Sequence, residues 1–447
     1  MFGKAVKWLY ASPPRLLMIG FALIIFIGSQ LLALPAASST GTRTAWIDAL
    51  FTATSATCVT GLVTLDTGTH YSTFGQIVIL LLIQIGGLGF MTMATLFAFF
   101  LKRRISLKER LILQESLNQS SIEGIVRLVR RVVFYALSIE AAGAILFTCR
   151  FLYDMSPGRA AYFGVFHAIS FFNNAGFDLM GNFSGLTGYV GDPFVNIVTM
   201  LLIILGGLGF IVLSDLTDLR RSRRLSLHSK VVLGMTGILI LFGAFVVFIF
   251  EYSNAYTMGN LGLGEKILAA FLQSVSPRTA GVNTLDLASL RQATQFFLVV
   301  LMFIGASPGS TGGGIKTTTY AALLGAVYAM IRGKEDVVLF RYRLSQERVY
   351  KALTVTLMAL ALVMIATMIL SATEDHQFLE ILFEVTSAFG TVGLSMGLTL
   401  QLTLAGKIII ILLMFIGRLG PLTMGYALGP KPGRVLYRHA EGKIIIG

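Results

Sequence analysis

Four short segments of the chain share a residue pattern that could arrange main-chain oxygens around an ion. In each, a phenylalanine is followed ten residues later by a glycine: FTATSATCVTG at 51–61, FHAISFFNNAG at 166–176, FLQSVSPRTAG at 271–281 and FEVTSAFGTVG at 383–393. Repetition at a nearly constant interval indicates copies of one structural unit. Glycine permits positive φ angles and close chain approach, and rings of main-chain carbonyls can replace the hydration shell of a cation. The pattern therefore predicts one cation site built from four loops.

Composition places these segments in a membrane protein. The 447 residues are 55% hydrophobic and 13% charged, with a mean hydropathy of +0.79. A soluble domain is nearer to a quarter charged. The net charge of +13 would suit a nucleic-acid partner in a soluble protein, but here it indicates Lys and Arg in cytoplasmic loops, and we expect no nucleic acid. The two cysteines, Cys58 and Cys149, predict neither a disulfide framework nor a metal site.

The amino-terminal segment imitates a secretory signal. Lys4, Lys7 and Arg15 precede or open an apolar run, and small residues follow in ALPAAS at 33–38. Each later copy of the pattern also has an apolar run before its loop, and removal of this one would leave the first copy without a leading helix. We therefore expect it to remain as a membrane span.

Each loop lies between two apolar runs that reach or approach the ~20 residues needed to cross a bilayer. We interpret each unit as a first membrane helix, a short re-entrant helix and a second membrane helix. The predicted first helices are 15–34, 131–151, 230–250 and 350–370; the short helices are 46–56, 160–171, 264–275 and 376–388; the second helices are 74–101, 194–216, 293–331 (interrupted) and 406–428. The expected fold is all-α and membrane-integral, with eight membrane helices and four re-entrant pore helices around a pseudo-fourfold central pore. Its four repeats are predicted at 13–125, 126–229, 230–348 and 349–430, followed by a cytoplasmic tail at 431–447.

Charge predicts the orientation of these units. Basic residues cluster after each second helix, at 102–110, 220–230, 332–348 and 431–438, whereas Asp66, Asp154 and Glu251 lie in connections on the other side. By the positive-inside rule, both termini and all inter-repeat loops are cytoplasmic. Each repeat then crosses the membrane twice, so successive repeats are parallel and can close around an axis along the membrane normal.

The four loops are interpreted as a selectivity filter. The short helices enter before the loops, so their partially negative C-termini point at the centre and favour cations. The filter cores contain no carboxylate, which a divalent cation would be expected to use. An ordinary helix cap is the alternative for any single glycine, but four matched copies argue against it. The predicted filter residues are Thr57, Cys58, Val59, Thr60 and Gly61; Asn173, Asn174, Ala175 and Gly176; Arg278, Thr279, Ala280 and Gly281; and Gly390, Thr391, Val392 and Gly393.

The second helix of the third unit is interrupted. It reads IGASPGSTGGGIKTTT at 304–319, where the other units have IGGLGF, LGGLGF and IGRLGP. Such residues cannot continue a helix, and non-helical backbone at membrane depth must be buried in protein or line an aqueous path. We predict a gate loop below the filter, with a static kink as the alternative; a phosphate-binding loop is rejected, because Ile315 separates glycine from lysine. The predicted gate residues are Gly305, Ser307, Pro308, Gly309, Gly312, Gly313, Gly314 and Lys316.

An arginine belongs to the same region. Alignment of Gly305 with Gly417 places Arg418 opposite the start of the loop, inside the membrane. A charge at this depth is costly and indicates a functional role. Arg418 could hold the gate closed or limit ion occupancy; a structural role, in which it satisfies orphan carbonyls of the broken helix, is an equal alternative.

Other polar residues in apolar segments are interpreted as structural. We expect Glu384 to be hydrogen-bonded, and Glu140 and Glu251 to lie near helix ends. The five histidines, including His167 and His376, lack metal-ligand spacing, and His167 is interpreted as a half-buried core residue. With no catalytic cluster in view, the chain is not expected to be an enzyme.

The four filter segments, the glycine-rich break and IGRLGP together resemble the potassium transporter superfamily that includes the Trk, Ktr and plant HKT proteins, over residues 13–428. The short amino-terminal segment and eight spans look like the membrane subunit of a bacterial Ktr system. This resemblance implies K⁺ uptake across the bacterial plasma membrane, often stimulated by Na⁺, with K⁺ held by filter carbonyls and no cofactor on this chain. It implies one selective glycine per repeat, at Gly61, Gly176, Gly281 and Gly393; some sodium-selective relatives have Ser in the first.

The resemblance also carries expectations about partners. It implies a homodimer on a cytosolic ring of nucleotide-binding regulatory subunits (RCK or KTN type, binding ATP or ADP). The basic cytoplasmic loops fit such docking, and they fit anionic lipid equally well. Arg278 departs from a neutral filter, and we expect its side chain to point away from the axis.

Two other functions stay open from the residues alone. One is a secondary transporter of another monovalent cation, an anion or a small solute that uses the broken helix and Lys316. The other is a membrane-embedded enzyme. Parallel repeats and the direction of the pore helices argue against an anion site.

Overall fold

The structure, a computed structural model, describes residues 13–89 and 125–429, together with Thr92 and Leu111. These residues are predominantly helical. Three parts of the prediction lie outside the described residues: the end of the first unit's second helix, the basic segment 102–110 and the tail 431–447.

The first two units contain seven of the described helices. In chain order they are α1 (Pro13–Leu32), α2 (Trp46–Cys58), α3 (Thr73–Leu88), α4 (Ile125–Phe151), α5 (Pro157–Phe172), α6 (Pro193–Leu208) and α7 (Phe210–Ser222), with 3₁₀ turns at Pro35–Ala37 and Thr187–Tyr189.

The third and fourth units contain the remaining described elements. They are α8 (Leu227–Glu251), α9 (Leu263–Val275), α10 (Gln292–Phe303), α11 (Thr317–Ile331), α12 (Gln346–Thr373), α13 (Phe378–Gly390), α14 (Leu404–Leu419) and α15 (Pro421–Leu428), with a 3₁₀ turn at Leu398–Gln401. A small antiparallel hairpin between α11 and α12 pairs β1 (Val338–Leu339) with β2 (Tyr342–Arg343).

The expected order of first helix, short helix and second helix occurs four times. The first helices α1, α4, α8 and α12 are long and apolar enough to cross a membrane, yet only about a third of each apolar span is buried in the protein. Apolar surface left exposed on this scale marks the lipid-facing layer of the fold. The short helices α2, α5, α9 and α13 lie inside this layer, and the C-terminal halves of α2 and α13 are buried throughout.

Capping side chains fix where three of the second helices begin. Ser72, Asp192 and Thr403 immediately precede α3, α6 and α14, and each accepts a hydrogen bond from a main-chain N–H of the first turn. Because a helix start leaves such donors without intrahelical partners, these side chains stabilise the starts.

The second helices of the second and fourth units are bent, which corrects the prediction of two continuous spans. The chain turns by 99° between α6 and α7 and by 95° between α14 and α15. The break falls at the last glycine of LGGLGF and of IGRLGP, where Gly209 and Gly420 have φ of 91° and 86°. Gly89 occupies the same place in IGGLGF with φ of 83°. A left-handed residue cannot continue a right-handed helix, so one glycine redirects the chain.

The core surrounds the ends of the short helices. The motif phenylalanines Phe51, Phe166 and Phe383 are fully buried, whereas Phe271 is half-buried. One hydrophobic cluster packs the first, second and fourth units together, and a second cluster lies around the third. This packing directs the four short helices towards a common region.

Candidate functional site

The four motif glycines form a closed ring of neighbours. A β-carbon built on Gly61 would lie 2.5 Å from the carbonyl oxygen of Ala175, and one built on Gly176 would lie 2.6 Å from that of Ala280. In the same way, a β-carbon on Gly281 would meet the Val392 carbonyl, and one on Gly393 would meet the Thr60 carbonyl, which returns to the first unit. The loops therefore surround a single axis in chain order, and each presents a main-chain oxygen to the glycine of the loop before it.

All four loops have the same backbone conformation. Each glycine has positive φ (94°, 69°, 70° and 93° in chain order). The residue two positions earlier is also left-handed: Val59, Asn174, Thr279 and Thr391, with φ of 57°, 58°, 76° and 51°. Left-handed conformations are costly for non-glycine residues, especially β-branched ones, and occur mainly where a functional site imposes them. Four copies of this strain at matched positions indicate a built site.

The filter segments are shorter than predicted. Thr57 and Cys58 are the last residues of α2, and Gly390 is the last residue of α13. The helices continue until the left-handed residue, Val59 or Thr391, stops them. The non-helical core around the axis therefore begins two residues before each glycine in these units, and the helix ends lie closer to it.

The remaining polar filter residues predicted in the second and third units have the following positions and contacts. Asn173 directly follows α5 as its C-terminal cap. Thr279 and Asn174 are neighbours across the second and third units, with Thr279 Oγ1 3.2 Å from the Asn174 amide. The Arg278 guanidinium points away from the axis, as expected, and donates to Thr236 Oγ1 on α8 at 3.2 Å.

A serine on the short helix holds the filter segment in three units, although it is not among the residues predicted from the sequence. Gly61 N–H donates to Ser55 Oγ at 3.0 Å, and Gly393 N–H donates to Ser387 Oγ at 3.1 Å. Ser170 Oγ donates to the Phe177 carbonyl at 2.6 Å. All three serines stand six residues before the ring glycine, a recurrence that is visible in the sequence.

Glycines on the second helices allow this close packing. A β-carbon on Gly86, Gly206 or Gly417 would collide with a main-chain carbonyl at the end of the short helix of the same unit: Thr57, Phe172 and Phe389, respectively. The first glycine of IGGLGF, LGGLGF and IGRLGP is therefore a contact position between the second helix and the pore helix.

The interrupted segment between α10 and α11 lies against the filter ends. Two hydrogen bonds join it to the second unit. The loop residue Ser307 donates its N–H to the Gly207 carbonyl at 3.1 Å, and the loop carbonyl of Gly309 accepts from Phe210 N–H at 3.0 Å. It contacts the fourth unit through Gly313 N–H, which donates to Thr391 Oγ1 at 3.0 Å. A β-carbon on Gly312 would meet the Thr279 side chain of the third unit, while one on Gly305 or Gly314 would meet main chain within the loop. The predicted gate residues are thus brought together at the axis side of the protein.

Two basic side chains donate hydrogen bonds to this loop. Arg418 donates to the Thr311 carbonyl and to the Gly86 carbonyl, and lies 3.3 Å from the Gly87 carbonyl. Lys316 Nζ donates to the Gly312 carbonyl at 2.7 Å. Arg418 therefore reaches the middle of the loop rather than its start at Gly305, and it joins the fourth unit both to this loop and directly to the first unit.

The predictions for the acidic residues and the histidine outside the filter were partly correct. Glu251 is the last residue of α8, and Glu384 accepts from Ser395 Oγ at 2.7 Å and from Thr399, as expected. The prediction for Glu140 was wrong, because it lies in the middle of α4 and is 5% exposed. His167 is more deeply buried than predicted, with no exposed surface, and its Nδ1 lies 2.7 Å from the Phe163 carbonyl.

These features define a class of protein: a predominantly helical membrane protein of four pore-helix units around one carbonyl-lined axis. Residues 20–427 match the TrkH cation transport protein family, and the chain belongs to that family. It is 47% identical to Ktr system potassium uptake protein B of Bacillus subtilis over 444 residues, covering 99% of each chain. It is 41% identical to potassium/sodium uptake protein NtpJ of Enterococcus hirae, covering 98% of this chain and 97% of that one.

The fold has a solved counterpart. The crystal structure of the potassium transporter TrkH from Vibrio parahaemolyticus superposes with a TM-score of 0.72 at 18% identity, covering 92% of this chain and 85% of that one. The likeness extends to the overall architecture, in agreement with the four-unit helical fold predicted from the sequence.

Proposed function

We propose that the protein conducts K⁺ into the bacterial cell through the ring of Gly61, Gly176, Gly281 and Gly393. The observation that carries this proposal is the closed circuit in which each glycine abuts the carbonyl preceding the next ring glycine. Main-chain oxygens carry partial charges, which suit a weakly hydrated monovalent ion that must also leave. The names of the similar proteins, potassium uptake protein B and potassium/sodium uptake protein, support the same ion class.

The surroundings of the ring favour cations. Four short helices end beside it, and helix C-termini carry partial negative charge. Arg278, the one charged residue in the filter segments, directs its guanidinium to Thr236 on a first helix instead of the axis. All four ring positions are glycine, which keeps them free of side chains that would narrow the path.

The segment from Gly305 to Lys316 acts as a gate beneath the filter. Its contacts reach the second, third and fourth units directly and the first unit through Arg418. A loop held from every side across the axis blocks ion flow until those hydrogen bonds are released. Arg418 stabilises this closed arrangement by donating to Thr311 and Gly86 at once.

The proposal also includes the location of the protein, its repeat boundaries and its assembly with partners. The protein resides in the cell membrane with both termini cytoplasmic, in four repeats at 13–125, 126–229, 230–348 and 349–430 with a tail at 431–447. It functions as a homodimer on a cytosolic RCK-type ring that binds ATP or ADP, with Na⁺ as an activator. Two similar Bacillus subtilis proteins are named as components of a Ktr system, which supports a multicomponent assembly, and a sodium-linked name supports the activator.

A secondary transporter for another monovalent cation or a small solute is the alternative. In that case Lys316 would be a substrate ligand. Its ammonium group instead donates to the Gly312 carbonyl and lies 3.4 Å from the Gly313 carbonyl, both within its own loop. This arrangement favours a gate over a solute site.

Flux through liposomes containing the purified protein tests the function. K⁺, Rb⁺, Na⁺ and Cl⁻ fluxes are measured for the wild type, Gly176→Ser and Gly158→Ser. Gly158 has no heavy atom within 4 Å of a built β-carbon and lies in the first turn of α5, the short helix of the same unit, so it is the matched control. We expect K⁺ selectivity in the wild type and the control, and a loss of K⁺/Na⁺ discrimination of about tenfold or more in Gly176→Ser. Chloride flux, or equal selectivity in both variants, would contradict the proposal.

A further inference from the structure

A buried polar cluster lies behind the second filter segment, away from the ring itself. Its centre is Glu140, at mid-length of α4 and 5% exposed. Within residues 13–89 and 125–429, the hydrogen bonds to its carboxylate come from side-chain amides, with no ion pair. Burying a carboxylate inside a membrane helix costs free energy unless its oxygens accept hydrogen bonds, so its presence here indicates a function.

Three elements of two units meet in this cluster. Gln84 Nε2, on α3 of the first unit, lies 3.1 Å from each carboxylate oxygen of Glu140. Asn173 Nδ2 donates to Glu140 Oε1 at 2.9 Å and lies 3.1 Å from Gln84 Oε1. The same Asn173 nitrogen is 2.9 Å from the Ile169 carbonyl in the last turn of α5.

Asn173 connects this cluster to the filter. It follows the last residue of α5 and precedes the left-handed Asn174, with Ala175 and Gly176 next in the ring segment. On its other side, a β-carbon on Gly87 of α3 would collide with Asn173 Oδ1. Asn173 is therefore fixed between Glu140 and α3, and its position sets where the second filter segment starts.

The cluster requires one side chain that only accepts hydrogen bonds and donates none. Each amide has both a donor NH₂ and an acceptor oxygen, whereas an ionised carboxylate has only acceptors. With Glu140 in place, both amide nitrogens find an oxygen. With an amide at position 140, one NH₂ must face another: either Gln84 Nε2 faces the new nitrogen, or a flipped Gln84 turns its Nε2 towards Asn173 Nδ2.

We propose that Glu140 is a positioning residue for ion selectivity, which it determines by fixing Asn173 at the start of the second filter segment. Glu140 does not touch the ion. It acts through the amides of Gln84 and Asn173, and thereby makes the second quarter of the ring depend on contacts with the first. This inference rests on the proposed K⁺ function of the ring.

The test measures K⁺/Na⁺ flux ratios in liposomes, normalised to folded protein by size-exclusion chromatography. Glu140→Gln keeps the side-chain shape and removes the extra acceptor. We expect its K⁺/Na⁺ ratio to fall about tenfold, which corresponds to ~1.4 kcal/mol. The exchanged pair, Glu140→Gln with Gln84→Glu, restores one carboxylate and one amide facing Asn173, and we expect it to recover most of the lost selectivity.

A matched control separates positioning from stability. Glu251 is also a fully buried glutamate, bonded to Asn254 Nδ2 at 2.6 Å and to Arg291 N–H at 2.9 Å, but it lies at the end of a first helix. Glu251→Gln is expected to lower the yield of folded protein and leave the flux ratio unchanged. Should Glu140→Gln not fold, Gln84→Met, which removes one amide while Glu140 stays, replaces it with the same expected direction.

The outcomes are distinct. A wild-type ratio in Glu140→Gln, or in Gln84→Met if that variant is needed, overturns the inference. An exchanged pair no better than Glu140→Gln also overturns it. Each of these results would leave K⁺ selectivity of the wild type intact, whereas a wild type without K⁺ selectivity would remove the proposed function itself.

Discussion

Lys407 and Asp48 form an ion pair, with Nζ and Oδ1 2.7 Å apart, that joins the last unit to the first. Lys407 lies in the first turn of α14, and Asp48 lies in the first turn of the short helix α2. Both side chains are less than a fifth exposed. The pair therefore closes the circuit of units at the outer ends of the helices, as the contact between Gly393 and the Thr60 carbonyl closes it at the filter.

Asp48→Asn should weaken this closure. Loss of the charge leaves Lys407 without its partner in a mostly buried setting, and we expect a cost of about 1–3 kcal/mol. The measurement is thermal unfolding in detergent, where the transition temperature should drop by several degrees. Arg343→Gln is the control, because its ion pair with Asp336 at 2.8 Å is largely exposed and should contribute little. Equal transition temperatures for the two variants would contradict the expectation.

Arg418→Ala should alter flux more than assembly. The guanidinium holds the Thr311 carbonyl of the loop to the Gly86 carbonyl of the first unit, so its loss should release the loop and raise basal K⁺ flux. Rb⁺ uptake per folded protein, in liposomes without added regulatory subunits, measures the effect. A parallel loss of folded protein and of flux would instead assign Arg418 a purely structural role.

Thr391→Val should loosen the loop between α10 and α11 at its contact with the fourth unit. The substitution keeps the shape and β-branching of the side chain but removes Oγ1, which accepts a hydrogen bond from Gly313 N–H at 3.0 Å. We expect a smaller rise in basal flux than in Arg418→Ala, because one neutral hydrogen bond contributes about 1 kcal/mol. Combining the two substitutions gives a double-mutant cycle, and strictly additive effects would show that the two contacts hold the loop independently.

Gly206→Ala should destabilise the protein strongly. The added β-carbon would collide with the Phe172 carbonyl, a main-chain atom that cannot move aside without displacing the filter. Gly237→Ala on α8 is the control, since no heavy atom lies within 4 Å of its built β-carbon. There we expect a gain of about 0.5–1 kcal/mol from helix propensity. The yield of monodisperse protein and the unfolding temperature report both changes.

The four-unit fold and the ring glycines were predictable because they repeat. Apolar runs identify membrane helices by length, and the matched spacing of Gly61, Gly176, Gly281 and Gly393 identifies the loops without any knowledge of their contacts. The break after Phe303 was also predictable, because several glycines and a proline occur together there.

Other features of the structure could not be predicted, because each depends on a single residue that a hydropathy profile does not distinguish from its neighbours. The turn at Gly209 occurs inside an uninterrupted apolar run, and only its φ of 91° separates it from an ordinary helical glycine. Thr57 and Cys58 continue α2 because Val59, not a glycine, takes the left-handed stop. Glu140 was misplaced because nothing in its local sequence indicates that amides from α3 and from the residue after α5 converge on it.

The third unit lacks the serine that holds the filter in the other three. Val275 stands at that position, and the ring glycine's own N–H, from Gly281, instead donates to the Ser276 main-chain carbonyl at 3.4 Å. Since one polypeptide supplies all four quadrants, each can diverge without forcing the same change on its neighbours, unlike a channel made of identical chains. In the proposed filter, the four segments that would coordinate a permeating ion therefore differ in stiffness, and equivalent substitutions in different quadrants should have unequal consequences.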